Sequence, residues 1–317
     1  MVEHVGSIAV IGAGSIGVGW ATVFARAQQP VVVFDLDGDR LENAELEFKS
    51  VLAQLSETGL LDDAVGASRM VTFVSNLESA VRDAKHVQEC IPESLAMKQA
   101  LFTELDLLTN PSATLASSSS AITCSSFASS LKGRGRCLVA HPANPPYLLP
   151  VVEIVPAPFT TEQAVAQVTE LMNSAGMSVI KVRKEIEGFV YNRLQGALLR
   201  EAYCLVRDGV VDPEDIDKIV HDGLGRRWSV IGPFETAELN TRGGIEAHAD
   251  KIGPAYLRMG EERGQHDPWT PDLVAKVAES VHRRFPPEEW AQSVTWRDQA
   301  LMVLQRARNE SPSRFER

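Results

Sequence analysis

The stretch Ile8-Ala9-Val10-Ile11-Gly12-Ala13-Gly14-Ser15-Ile16-Gly17 decides the fold. Its apolar start reads as a buried strand, the three glycines spaced G-x-G-x-x-G as the turn that follows, and residues 18–27 as a helix. In that setting Gly12 permits a tight turn, Gly14 lets a pyrophosphate approach the backbone, and Gly17 lets the helix sit close to the sheet. The helix N-terminus adds free N–H groups and positive potential. The next apolar run, residues 31–34, ends on Asp35, a carboxylate suited to accept hydrogen bonds from an adenosine ribose diol and to repel a 2′-phosphate. The expected cofactor is therefore NAD. Arg40 is the cation that could serve NADP instead, but it lies past the strand end and reads as an exposed helix residue.

Outward from this unit the pattern repeats. Apolar runs at 8–11, 31–34, 70–74, 86–91, 113–116, 137–140, 151–155 and 177–182 alternate with stretches of period near 3.6. That alternation predicts an α/β domain with a largely parallel sheet covered by helices on both faces. From Glu187 the strand signal stops. Residues 188–207 carry apolar side chains on more than one stripe, as in a helix packed on several sides, about 30 Å long. Asp212-Pro213-Glu214-Asp215 opens a further helix that Gly223-Leu224-Gly225 should end, and Gly232-Pro233 should open the next. The expected architecture is a Rossmann-type doubly wound parallel sheet over 1–185 followed by an all-helical domain over 186–317, with a frayed polar tail from Arg306.

Composition narrows the function. Forty-two acidic against 31 basic residues give a net charge of −11 and no basic patch, which disfavours nucleic acid and anionic membranes as partners. No apolar run approaches the roughly 20 residues of a membrane helix, and residues 1–6 lack the pattern of a secretory leader. Cys90, Cys124, Cys137 and Cys204 have no C-x-x-C spacing, so reduced thiols and a cytoplasmic setting are expected.

Three polar features interrupt the apolar strand ends: Ser117 to Ser120, His141 and Glu153. In a doubly wound sheet such positions open onto the ligand crevice. A carboxylate flanked by Val152, Ile154 and Val155 needs a partner, and a His–Glu pair is a general acid/base unit in which the carboxylate fixes the imidazole tautomer. Either residue alone could be structural, and one serine could cap a helix. No third ligand stands at zinc spacing and no G-x-S-x-G elbow is present, so no metal is expected and a serine hydrolase is disfavoured.

The order GAGSIG (12–17), Asp35, SSSS (117–120), HPANPPY (141–147), VEIVP (152–156) and EIEGFVYNRLQ (185–195) resembles the L-3-hydroxyacyl-CoA dehydrogenase superfamily over nearly the whole chain. QECIPESLAMK (88–98), DGLGRRW (222–228) and IGPFET (231–236) are most similar to its lambda-crystallin branch, whose activity is L-gulonate 3-dehydrogenase. The resemblance implies that His141 is the catalytic base, Glu153 the carboxylate that orients it, Ser120 the hydroxyl on the reacting oxygen and Asn192 an amide from the helical domain. It implies further that Gly12, Gly14, Gly17 and Asp35 hold NAD, with Glu93 and Lys98 near the nicotinamide end, and that the helical domain forms a homodimer.

Gly225-Arg226-Arg227-Trp228 stands where acyl-CoA members have an apolar opening. A guanidinium suits a free carboxylate, so a small 3-hydroxy acid is expected, with Arg227 and Trp228 in the substrate site. Trp228 with Tyr147 could instead offer the aromatic surface a quaternary ammonium prefers, as in L-carnitine dehydrogenase. L-3-hydroxybutyrate or its CoA ester is a further alternative. A non-catalytic crystallin-like protein is the competing class, to which the intact His, Glu, Ser and Asn set runs counter.

Overall fold

The computed structural model describes residues 6–263, 270–283 and 285–310. The expectations placed on residues 1–5 and 311–317 lie outside the described residues. In chain order the first part builds β1 (Ser7–Ile11), α1 (Ser15–Arg26), β2 (Val31–Phe34), α2 (Gly38–Glu57), α3 (Ala64–Arg69), β3 (Val71–Val74), α4 (Leu77–Val81) and β4 (Ala84–Glu89). There follow α5 (Leu95–Leu108), β5 (Thr114–Ser117), α6 (Cys124–Ala128), β6 (Cys137–Pro142), β7 (Val151–Pro156), α7 (Glu162–Ser174) and β8 (Ser178–Lys181). Every expected strand is present. The sheet order is β3-β2-β1-β4-β5-β6-β7-β8, so the chain doubles back between β1 and β4, where a doubly wound sheet opens its crevice.

Both faces of the sheet are buried over its central strands, which explains why these read as continuous apolar runs rather than alternating ones. Ile8, Val10, Val31, Val33, Leu138, Ala140, Val152 and Ile154 pack with α1, α2 and α7 on one face. Ala9, Ile11, Val87, Leu115, Val139 and Val155 pack with Phe102 and Phe127 on the other. Asp37, Asp63, Asn76 and Thr161 cap the helices that follow them, each accepting from a backbone N–H in the first turn.

One departure governs the site. The sheet is parallel from β3 through β6, but β7 runs antiparallel to β6 and β8 follows β7. Glu153 is therefore not at a strand's carboxyl end, as expected. It lies in the first half of β7, and the reversal sets it directly opposite His141 near the end of β6.

The remaining described helices are α8 (Tyr191–Arg207), α9 (Pro213–Lys218), α10 (Gly225–Trp228), α11 (Pro233–Asn240), α12 (Gly244–Arg263), α13 (Pro271–His282) and α14 (Trp290–Glu310). Helix α8 starts later than its apolar pattern suggests, because Gly188 and Phe189 both take left-handed conformations, φ 74° and 47°. It buries Cys204 and Val206 and leaves Leu194, Leu198 and Leu199 exposed. Gly223-Leu224-Gly225 does not end α9. A π-helical turn over Ile219–Leu224 carries the chain straight into α10, and Gly225 fits there because a Cβ would lie 2.9 Å from the Val220 carbonyl oxygen. Residues 306–310, expected to fray, belong to α14. The chain divides into two compact units: one runs to Arg193 and takes up the chain again from Thr295, and the other is Leu194–Val294. None of the described helices is long and apolar enough to cross a membrane.

Inside the sheet His86 is almost fully buried, bonded to Thr114 Oγ1 at 2.7 Å and Gln88 Oε1 at 3.2 Å. Burial pushes its pKa down to about 4. The unfolded chain thus takes up a proton between pH 6.5 and 4 that the folded chain refuses, and stability falls as pH drops through that window. Urea unfolding at pH 7.5 and 5 should show a loss of about 2 kcal/mol from this one residue. His86→Gln should remove that part of the difference.

Candidate active site

The glycine turn forms as its sequence requires. Gly12 has φ 108°, and a Cβ there would lie 2.8 Å from the Cys90 carbonyl oxygen. A Cβ on Gly17 would overlap the Gly12 carbonyl, so the third glycine is needed for turn closure. Gly14 is different. A Cβ there meets nothing within 4 Å, so this N-cap of α1 faces open space, and no side chain caps the helix's first N–H groups. An open cradle of unclaimed N–H groups at a helix N-terminus fits a dinucleotide pyrophosphate. Asp35 Oδ2 accepts from the Ala13 N–H at 2.9 Å and Oδ1 from the Asp37 N–H at 3.1 Å, so the acid also braces the turn. Arg40 is an exposed residue in the first turn of α2, as expected, yet its Nη1 comes 3.7 Å from Asp35 Oδ2. That pairing was not legible in the sequence.

His141 and Glu153 take positions on the sheet face that Val139 and Val155, two residues away on the same strands, fill with apolar side chains. His141 Nδ1 and Glu153 Oε2 are 2.8 Å apart, and both residues are buried. Glu153 Oε1 accepts from the N–H groups of Val190 at 2.8 Å and Tyr191 at 3.0 Å, the first donors of α8. Burial alone would raise the Glu153 carboxyl; the His141, Tyr191 and Val190 hydrogen bonds outweigh it and hold the carboxyl below its usual value. An ionised carboxylate only accepts, so Nδ1 is the donor, and in the neutral imidazole the lone pair then sits on Nε2. The Phe189 ring lies 5.6 Å from the imidazole and the Tyr191 ring 6.4 Å. A phenylalanine with positive φ costs of order 1–3 kcal/mol, and the turn it shapes is the one that aims two N–H groups at Glu153.

The serine loop is held by acids. Glu93 Oε1 accepts from Ser119 Oγ at 2.6 Å and from the N–H groups of Ser120, Ala121 and Ile122 at 3.0–3.2 Å. Lys98 is buried, 2.9 Å from both oxygens of Glu89 and 3.6 Å from Glu93 Oε2. Glu89, fully buried and bonded also to Ser117 Oγ and the Ile91 N–H, went unnoticed in the sequence although it breaks an apolar run. Ser118 Oγ is bound by Trp20 Nε1 at 3.1 Å and Gln88 Nε2 at 2.7 Å, whereas Ser120 is exposed. Asn192 Nδ2 donates to the Ser120 carbonyl at 3.1 Å. Neighbouring residues of α8 thus reach the two halves of the site, Tyr191 to Glu153 and Asn192 to the serine loop. Arg227 and Trp228 belong to the second unit, both exposed in α10. Tyr147 is partly buried and packs against Val51, Leu55, Leu148 and Met302. Among the described residues no three His, Cys, Asp or Glu side chains converge as metal ligands.

A strand, glycine turn and helix followed by an acid-ended second strand, with a buried His–carboxylate pair on the same sheet, define a nicotinamide-dependent dehydrogenase. The chain belongs to the 3-hydroxyacyl-CoA dehydrogenase family: residues 7–186 match its NAD binding domain and 188–283 its C-terminal domain. It is 36% identical to the lambda-crystallin homolog of Rattus norvegicus over 96% of this chain and 97% of that one. It is 33% identical to the L-carnitine dehydrogenase of Staphylococcus epidermidis, over 95% of this chain and 90% of that one. Among solved structures, 5-formyl-3-hydroxy-2-methylpyridine 4-carboxylic acid 5-dehydrogenase, an NAD+-dependent dismutase, superposes with TM-score 0.83 at 28% identity, covering 98% of this chain and all of that one. The protein is an NAD-dependent oxidoreductase.

Gly14→Ala should fold normally and lose at least about tenfold in NAD affinity, since its methyl enters the open cradle. Gly17→Ala should be destabilised by several kcal/mol, of the order seen for overpacking or worse. Cofactor titration by fluorescence and thermal melts separate the two outcomes.

Proposed function

We propose that the protein oxidises the 3-hydroxyl of a small L-3-hydroxy acid, as an L-gulonate 3-dehydrogenase does. The observation that carries this is the division of labour in Glu153: one oxygen holds Nδ1 of His141, the other is taken by α8, and Nε2 is left as the base. Bound NAD would supply the hydride acceptor. His141 Nε2 takes the hydroxyl proton as the carbon–oxygen bond gains double-bond character, and Glu153 stabilises the imidazolium. The Ser120 hydroxyl and the Asn192 amide donate to that oxygen. Gly12, Gly14, Gly17 and Asp35 hold the dinucleotide; Glu93, fixed by Lys98, borders its nicotinamide end.

The relatives named lambda-crystallin homolog support the free-acid reading, with Arg227 as the partner of the substrate carboxylate and Trp228 beside it. The L-carnitine dehydrogenases among the relatives support L-carnitine as the second reading. The helical segment 186–317 is proposed to carry substrate binding and a homodimer contact; exposed Leu194, Leu198, Phe234, Leu239 and Leu257 give that contact its apolar surface. The thiols of Cys90, Cys124 and Cys137 suit a cytoplasmic setting.

NAD reduction should be fastest with L-gulonate in a panel that includes L-carnitine, L-3-hydroxybutyrate and its CoA ester; a clear preference for either of the last two overturns the free sugar acid. His141→Ala should lower kcat by about 10²–10⁴-fold with NAD binding intact. Arg227→Met should lose at least about tenfold in kcat/KM on the acid and much less on its methyl ester, with Arg226→Met milder. Equal losses on acid and ester would remove the support for a carboxylate contact.

A further inference from the structure

The His141–Glu153 pair depends on strand register. A slip of one residue between β6 and β7 would send Glu153 to the opposite face of the sheet. The connection that sets this register has few internal bonds: the Ala143 N–H to the Val151 carbonyl at 3.0 Å, the Val151 N–H to the Leu149 carbonyl at 2.7 Å, and the N–H groups of Leu148 and Leu149 to the Pro145 carbonyl at 3.1 and 2.9 Å. The rest of its order comes from outside. Pro146 lies so close to α1 that a Cβ on Gly19 would fall 2.7 Å from its ring. Arg26 at the end of α1 donates through Nη1 to the Tyr147 carbonyl at 3.0 Å.

The other two anchors come from α14. Leu148 is buried with Val51 and Leu55 of α2 and with Met302, itself fully buried. The Tyr147 hydroxyl donates to Asp298 Oδ2 at 3.3 Å, while Asp298 Oδ1 pairs with Arg297 at 2.6 Å. Burial and the neighbouring Asp298 push the Tyr147 phenol upward, so it stays a donor. Helix α14 lies beyond residue 283, where the match to the family's C-terminal domain ends, and from Thr295 the chain packs with the first unit.

We propose that α14 is a positioning helix for the catalytic hairpin: Asp298 and Met302, acting through Tyr147 and Leu148, fix the connection that holds His141 opposite Glu153. This rests on the reading of His141 as the base. Neither Asp298 nor Met302 is required to touch substrate or cofactor. Their contribution is the geometry of a proton transfer, where small displacements are costly.

Tyr147→Phe, Asp298→Ala and Asp298→Asn test it, assayed with the acid of the panel that the unaltered protein oxidises fastest. Tyr147→Phe and Asp298→Ala should each lower kcat roughly five- to twentyfold, with NAD affinity within about twofold of normal. Asp298→Asn, whose amide oxygen still accepts from the phenol, should retain most of kcat. The double variant Tyr147→Phe/Asp298→Ala should be no worse than the poorer single one. The acid limb of the kcat profile should move to lower pH in the impaired variants, because the imidazole loses part of its carboxylate partner. Turnover within twofold of normal in both Tyr147→Phe and Asp298→Ala overturns the proposal, whatever happens to the melting temperature; Tyr147→Phe is near-isosteric, so the test survives misfolding of an Asp298 variant. His141→Ala run alongside separates the causes. Turnover kept in His141→Ala defeats the base and this inference with it; turnover lost there but normal in both Tyr147→Phe and Asp298→Ala defeats this inference alone.

Discussion

Glu153 is the constraint on which the site depends. A buried carboxylate without partners would cost several kcal/mol and would protonate instead. Here three N–H donors share its two oxygens: the imidazole of His141 and the backbone of Val190 and Tyr191. The same charge therefore orients the proposed base and receives the positive end of α8, the helix that leads out of the first unit. Catalytic geometry and chain path are set by one side chain. Removing the charge would release both, which is why its conservative amide replacement is as informative as a truncation.

The reversal of β7 makes this possible. In a wholly parallel sheet the residue across from the end of β6 would be the end of the next strand, and a connection of ten or more residues with its own helix would intervene. Turning β7 back lets a short connection bring Glu153 beside His141 in a single antiparallel step. The two side chains then emerge on the same face, where Val139 and Val155 continue the apolar packing around them. A polar pair is thereby enclosed by core on its own sheet.

The sequence made the strands legible because both faces of the sheet are buried over its central strands, and eight β-branched runs stand out against helical spacing. The glycine turn, Asp35, His141 and Glu153 were legible because each breaks an apolar run where burial must be compensated. Strand direction was not, since a parallel and an antiparallel strand have the same apolar pattern. The end of α9 was misread because glycine signals a helix stop and a π-turn alike; only the approach of the Val220 carbonyl distinguishes Gly225. The left-handed Phe189 was equally invisible, as its side chain type argues against that conformation and only the demand of Glu153 for two N–H groups accounts for it.

The serine loop lies in a protein of net charge −11, whose overall field repels an anionic dinucleotide. The buried ammonium of Lys98 beside that loop is claimed by Glu89, so it offsets an internal acid. Glu93 in turn spends one oxygen on the serine loop's hydroxyl and three N–H groups, fixing the loop while leaving the Ser120 hydroxyl outward. In the proposed cofactor site, attraction for the pyrophosphate comes from the open N-terminus of α1, and Asp35 braces that turn through Ala13 while presenting a carboxylate at the proposed ribose end. Discrimination follows from the same arrangement. A 2′-phosphate would meet Asp35, and Arg40, already drawn to that acid, could serve the phosphate only by abandoning it.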